Sequence, residues 1–317
     1  MAPRGVAGGP GHLADGAGVI GPRRPAATAR FAAVPAVMVA IALTSCSSSA
    51  VSAPSVPEVF DLHRDPAASV APVDPDRGVV APADQLRLLL EHHLSWHGIT
   101  LVHAMQSAER NDSGTTPWID ALVANTDDLT GAIGLVYGPA GARAFQQQWA
   151  QHTQFLIDYA SAVGRGDAAA ADEARARLHD YVTDAGSFLA TATGGHLPVD
   201  TARAVLANHV EHMMNQLDAA ARSDQAGALS IASEDHGYLF GIADALAGAI
   251  GGQQPVAFPG STDTPFANYC SLANRGAGDL LLERLADPSA ASADGAPRVA
   301  RDELDAAEVS SAQAAPH

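Results

Sequence analysis

The sequence predicts an all-α fold, a six-helix bundle built from two or three tandem helical hairpins, and three observations carry that prediction. Residues 84–252 keep helical periodicity almost without a break and hold few runs of β-branched residues. Their punctuation is that of helix ends: Thr116-Pro117, Gly138-Pro139, Asp167, Gly194-Gly195 before Pro198, Asp224 and Gly251-Gly252. The third observation is an internal repeat. His152, Arg165 and Asp167 recur 57 residues on as His209, Arg222 and Asp224, and His97, Arg110 and Asp112 precede them by 55 with the same spacing.

These signals place helices near 84–108, 117–137, 140–164, 168–193, 199–222 and 226–250. Arg-x-Asp at each hairpin turn is partly generic, since it puts a cation in the last turn and an N-cap on the next helix. The recurring histidine is not generic. Three units are too few for an open solenoid, so a compact bundle is expected.

The chain has 317 residues, no lysine, and 18 arginines against 35 acids. Removing the four arginines and one acid that precede Cys46 (Arg4, Arg23, Arg24, Arg30 and Asp15) leaves 14 against 34, a net of −20. Nucleic acid is excluded as a partner by that sign, because phosphate binding needs clustered positive charge.

Arg23, Arg24 and Arg30 precede a 13-residue apolar run, Phe31 to Leu43, too short to span a bilayer and suited to a signal h-region. It ends in Leu43-Thr44-Ser45-Cys46, followed by Ser47 to Ser49. Residues 20–50 thus resemble the signal and lipobox of bacterial, actinobacterial-type exported lipoproteins. The resemblance implies a signal peptide over 1–45, lipidation of Cys46, export, and a membrane anchor on the extracytoplasmic side. Two acyl chains would make that anchoring stable, at about 0.8 kcal/mol per buried CH2.

Residues 46–83, rich in Ser, Ala, Pro and Asp, read as a flexible spacer. Residues 253–317 read as a largely disordered acidic tail with one short helix near 278–285. Cys270 falls in that tail and reads as incidental.

Helical spacing aligns Leu86, Leu90, His93, His97 and Leu101 on one stripe, and Phe145, Trp149, His152, Leu156 and Tyr159 on another. Two further stripes contain His209 with Met213, and His236 with Leu239. The candidate metal ligands are therefore His93, His97, His152, His209, His212 and His236, with Asp128, Asp184 and Asp235 as carboxylate partners. Imidazoles with carboxylates behind them are how bundles hold copper, zinc or iron, and Met105, Met213 and Met214 tilt the choice to copper.

The same histidines also fit hydrogen-bonded core rings in a helical scaffold lipoprotein that presents its surface to an envelope protein. Ser233, Asp235 and His236 include the residue types of a hydrolytic triad. Neighbours on one helix point apart, however, so such a triad would need partners from other elements. No phosphate-binding loop occurs, and the expectation is a binding domain rather than an enzyme.

Overall fold

A computed structural model describes residues 78–293 and 295–315. The expected signal, Cys46 and most of the spacer lie outside the described residues. The described chain is all-helical, with eight helices: α1 (Ala83–Arg110), α2 (Thr115–Arg165), α3 (Ala168–Ala192), α4 (Val199–Ala221), α5 (Gln225–Gln253), α6 (Pro265–Leu285), α7 (Pro288–Ala291) and α8 (Ala296–Ala314). None of them is long and apolar enough to cross a membrane.

The helices expected at 117–137 and 140–164 are present as the two arms of α2, which part at Gly138, where φ is 72° and ψ −179°. Glycine accepts that positive φ without a Cβ penalty, and Pro139 restarts the helix as a first-turn proline whose missing N–H costs nothing. The chain folds back there: Gln146 Nε2 donates to Asp127 Oδ1 at 3.1 Å, and a Cβ at Gly134 would lie 3.4 Å from the Ala142 Cβ, contacts that only antiparallel arms allow.

The three Arg-x-Asp turns share one backbone pattern. Asn111, Gly166 and Ser223 all take the left-handed conformation, at φ 51°, 66° and 64°. In each turn this residue's N–H bonds the carbonyl three residues back, and the following Asp N–H bonds the carbonyl five back: Asp112 to Ser107, Asp167 to Ala162, Asp224 to Ala219. That pair is the Schellman termination. Asp167 and Asp224 then cap α3 and α5 by accepting from Ala170 N at 3.1 Å and Gly227 N at 2.9 Å. His97, His152 and His209 each stand 14 residues before the left-handed position, hence about 21 Å up their helices from equivalent turns.

Tail residues 253–317 are not largely disordered, which corrects the sequence reading and replaces six helices with eight. Thr264 caps α6 by accepting from Ala267 N, with Pro265 in the first turn. Helix α8 buries Ala296, Ala300, Leu304 and Ser311 at helical spacing. These elements look polar in isolation because their partner is the polar side of α1. Arg87 donates to Asn268 Oδ1 at 2.8 Å and to the Thr262 carbonyl at 3.3 Å, and pairs with Glu91 at 2.8 Å. Ser271 Oγ donates to Glu91 at 2.9 Å, Thr264 Oγ1 to Asp84 at 3.0 Å, and His92 meets Glu308 at 2.9 Å and Asp305 at 3.2 Å. Cys270 is also buried there, packed with Leu88 and Ala267.

The apolar interior forms two main clusters. One surrounds Leu90, Leu94, Tyr137, Phe145, Leu239 and Ile250. Trp96, Leu101, Met105, Trp118, Ile157, Met213 and Leu282 gather in the other.

Helices α1 and α2 meet closely beside their turns. A Cβ added at Gly164 would lie 1.9 Å from the Glu109 carbonyl oxygen, a backbone atom that cannot rotate away. Gly164→Ala should therefore destabilise the fold by about 2 kcal/mol or more despite alanine's better helix propensity. Urea unfolding measures it, and a neutral or stabilising result would contradict this packing.

Candidate metal centre

At the seam between the two apolar clusters lies a polar layer. Along α1, His97 falls between Leu94 of one cluster and Leu101 of the other; along α2, His152 falls between Phe145 and Leu156. On α5, Asp235 is likewise placed between Ala232 and Leu239. His97, His152 and His209 form a buried triad that could hold a metal, with one ligand atom from each within 4.8 Å of the others. Their ring centroids are 5.1, 5.9 and 6.2 Å apart.

His97 Nε2 and His152 Nε2 are 3.1 Å apart. Two ligands at 2.0–2.1 Å from a tetrahedral ion are separated by about 3.3 Å, so this pair already has a spacing suited to shared coordination. Without an ion, one of the two nitrogens donates its proton to the other. His209 Nδ1 lies 3.0 Å from both Asp235 oxygens. A carboxylate there fixes the tautomer and turns the lone pair of Nε2, which is buried without a protein partner, away from Asp235. His97 Nδ1 is also buried without a partner, while the Trp149 backbone hydrogen-bonds His152.

Aromatic rings hold the imidazoles in place. Trp149 is 4.6 Å from His97 and 4.8 Å from His152, and Tyr181 stacks on His152 at 5.2 Å with a 24° tilt. Burial, reinforced by neighbouring rings, pushes the His97 pKa well below its ordinary 6.5, and burial carries His152 to about 3. Both are neutral at physiological pH, the ligand form of imidazole. Burial alone would raise the Asp235 pKa; its bonds to His209 and His212 outweigh that and hold it below the ordinary value. The hydrogen bond to Asp235 raises His212 in turn. The layer thus sets one buried carboxylate behind His209 and two neutral rings, His97 and His152, beside it, an arrangement that suits a cation.

The other candidates are directed elsewhere. His212 reaches Asp235 at 3.2 Å and belongs to the layer's outer side, its side chain 30% exposed. His93 faces Asn125 at 3.4 Å. Both ring nitrogens of His236 are occupied: Nε2 by Ser95 Oγ at 2.8 Å, Nδ1 by Asp279 at 3.0 Å. Asp128 and Asp184 are on exposed faces of their helices.

Sequence spacing missed the roles of Tyr181, Ser95 and Asp279, which come from three different helices with no local motif to announce them. Ser95, His236 and Asp279 reproduce the hydrogen-bond order of a hydrolytic triad. Ser95 is 1% exposed, however, and a Cβ at Gly278 would sit 2.3 Å from the His236 ring. Helix α6 therefore occupies the place a substrate would need, and the three residues tie α6 to the bundle.

Comparison with protein-family models, curated proteins and solved structures finds no match to this chain.

The buried rings set the acid response. A histidine whose folded pKa is depressed contributes stability that is complete above its unfolded value near 6.5 and is lost as pH falls towards the folded value. His97, His103 and His152 act this way, with His103 lowered to about 3 by burial. Glu91, raised by burial from 4.5 to about 7, acts oppositely over that window, losing stability as pH rises. With the smaller shifts of His93, lowered by burial, and His212, raised by Asp235, opposing each other, three sites against one leave a net loss of about 3 kcal/mol per pH unit between pH 6 and 4.5, at about 1.4 kcal/mol per site. Urea midpoints across that range should fall steeply, and His103→Phe should roughly halve the slope; a flat profile would refute the neutral buried rings.

Proposed function

We propose that this chain is a membrane-anchored envelope lipoprotein whose helical domain binds one transition-metal ion through His97, His152 and His209, with Asp235 behind His209. The observation that carries the metal is the convergence of the three repeat-equivalent histidines, from three helices, in a buried layer with a carboxylate already bonded to one ring. His209 is held by Asp235 through Nδ1 and leaves Nε2 buried without a protein partner, the donor that an ion would take. Three imidazoles without a carboxylate ligand favour copper or zinc over the carboxylate-containing sites of non-haem iron.

The anchor rests on the resemblance of Leu43-Thr44-Ser45-Cys46 to a lipobox and on the basic-then-apolar segment before it. Export would deliver the domain to an extracytoplasmic surface. The acidic chain, repelled by anionic headgroups, would depend on the lipid to stay there.

Purified protein exposed to copper or zinc and then desalted should retain about one equivalent by elemental mass spectrometry. His97→Ala, His152→Ala and His209→Ala should each lose it, while Asp235→Asn should weaken affinity by about 10–100-fold. No retained metal, or retention unchanged in the three alanine variants, would refute the site. For the anchor, mass spectrometry of the mature chain should show an N-terminal diacylated Cys46; an unmodified cysteine or cleavage elsewhere would refute it.

One observation favours a second reading, a scaffold for another envelope protein. Tyr269, Leu272 and Leu280 line one outward stripe of α6, with Leu272 75% and Leu280 67% exposed. In that reading the triad serves packing alone and the alanine variants leave metal retention near zero throughout.

A further inference from the structure

Residues 78–83, 129–142, 185–199 and 245–262 contain no Asp, Glu, Arg or Lys and a single histidine, His196, in a chain with 18 basic and 35 acidic residues. Far apart in sequence, these four segments meet at one end of the bundle. Val80 N donates to the Ala257 carbonyl at 2.8 Å and Ala83 N to the Pro259 carbonyl at 3.0 Å. Gln253 joins the other two segments, accepting from Tyr137 Oη at 2.8 Å and donating to the Ala192 carbonyl at 2.9 Å. Helix α1, the second arm of α2 and α4 each run from this end to an Arg-x-Asp turn at the other, so charge is sorted along the bundle.

The uncharged end also presents apolar side chains to solvent. Val79, Leu135 and Val256 are 68%, 62% and 63% exposed, and Val80 lies beside them. An open apolar pocket with the partly exposed Ile133, Phe188, Leu189 and Leu246 on its lining continues this surface down the flank. An exposed apolar patch of this kind marks a docking surface for a protein or a membrane. Where the rest of the chain joins decides between them: the residues before Gly78, Cys46 among them, enter the domain through Val79 and Val80, in the patch itself. Each segment is also bounded in sequence by an aspartate on at least one side: Asp84, Asp128, Asp184 with Asp200, and Asp244 with Asp263. Such a border is repelled by anionic headgroups and tolerated by zwitterionic ones.

We propose that the uncharged end docks on a zwitterionic bilayer surface, with Val79, Leu135 and Val256 entering the headgroup region and the Arg-x-Asp turns facing away from it. Apolar side chains carried into the interface hold an element there without spanning the membrane. The tether's lipid rests on the anchor reading above; the sorting of charge and the exposed patch do not. Anchor and patch at one end would fix the orientation of the domain as well as its distance from the bilayer.

Methyl NMR of the purified full chain on phosphatidylcholine nanodiscs, with and without a nitroxide-labelled lipid, reads that orientation directly. Methyls of Val79, Leu135 and Val256 should broaden several-fold more than those of Leu272 and Leu280, which are at least about as exposed but lie on α6. Replacing both Leu135→Glu and Val256→Glu should abolish the preference at Val79, and these exposed positions leave the core intact. Equal broadening at all five residues, stronger broadening on α6, or a preference unchanged in the double variant overturns the docking surface. Mass spectrometry of Cys46 in the same sample separates the two readings. Preferential broadening with an unmodified Cys46 supports the docking surface and defeats only the anchor; a diacylated Cys46 without the preference defeats the docking surface alone.

Discussion

Burial of α1 on every side is the constraint on which the rest of the structure depends. From Leu86 to Ser107 nearly all its side chains are inaccessible, including Arg87, Glu91, His92, His93, Ser95, His97, Thr100 and His103. A helix with so many polar groups is costly to enclose unless each finds a partner, because a buried polar group without one costs about 1–3 kcal/mol. Partners consequently come from all around it: Asn125 from α2, His236 from α5, Ser271 from α6 and Glu308 from α8. Each contact ties a further element to α1.

Some groups go unsatisfied. Helix α1's unpartnered atoms include Glu91 Oε2, His97 Nδ1, both nitrogens of His103 and Ser107 Oγ, and α4 adds His209 Nε2. His103 lies against Trp118 at 4.7 Å and behaves as an enclosed aromatic ring. At the triad the situation differs, since three imidazoles converge there, His97 and His152 sharing one proton between their Nε2 atoms while His209 Nε2 has no protein partner. A cation would relieve that arrangement, and Asp235 supplies a counter-charge through His209 without entering the coordination shell. Trp149 and Tyr181 close the layer, so a bound ion would exchange with solvent through local opening of the bundle or along the half-exposed His212.

The equivalence of the three hairpin turns explains how the triad is assembled. Identical Schellman terminations end the outgoing helix of each hairpin, and each histidine stands 14 residues before that end. The reversal at Gly138 returns the chain so that the second arm of α2 can bring His152 to His97.

By itself the sequence determined the helices, their ends and the histidines worth attention, because these are local: a 3.6-residue period, an N-capping aspartate, a repeated spacing. Asp235 was legible as a candidate for the same reason, and so were the Arg-x-Asp turns. Only the tertiary structure decided which histidines converge, because His93 and His97 share a stripe yet differ by a full turn, enough to send one to Asn125 and the other to the triad. It also decided the tail. Helices α6 and α8 mix apolar residues that join the main core, Leu281, Leu282, Leu285, Ala300 and Leu304, with polar ones that meet the polar side of α1. Complementary hydrogen bonding between distant segments leaves no periodic trace in either, so it becomes visible only once the two are packed together.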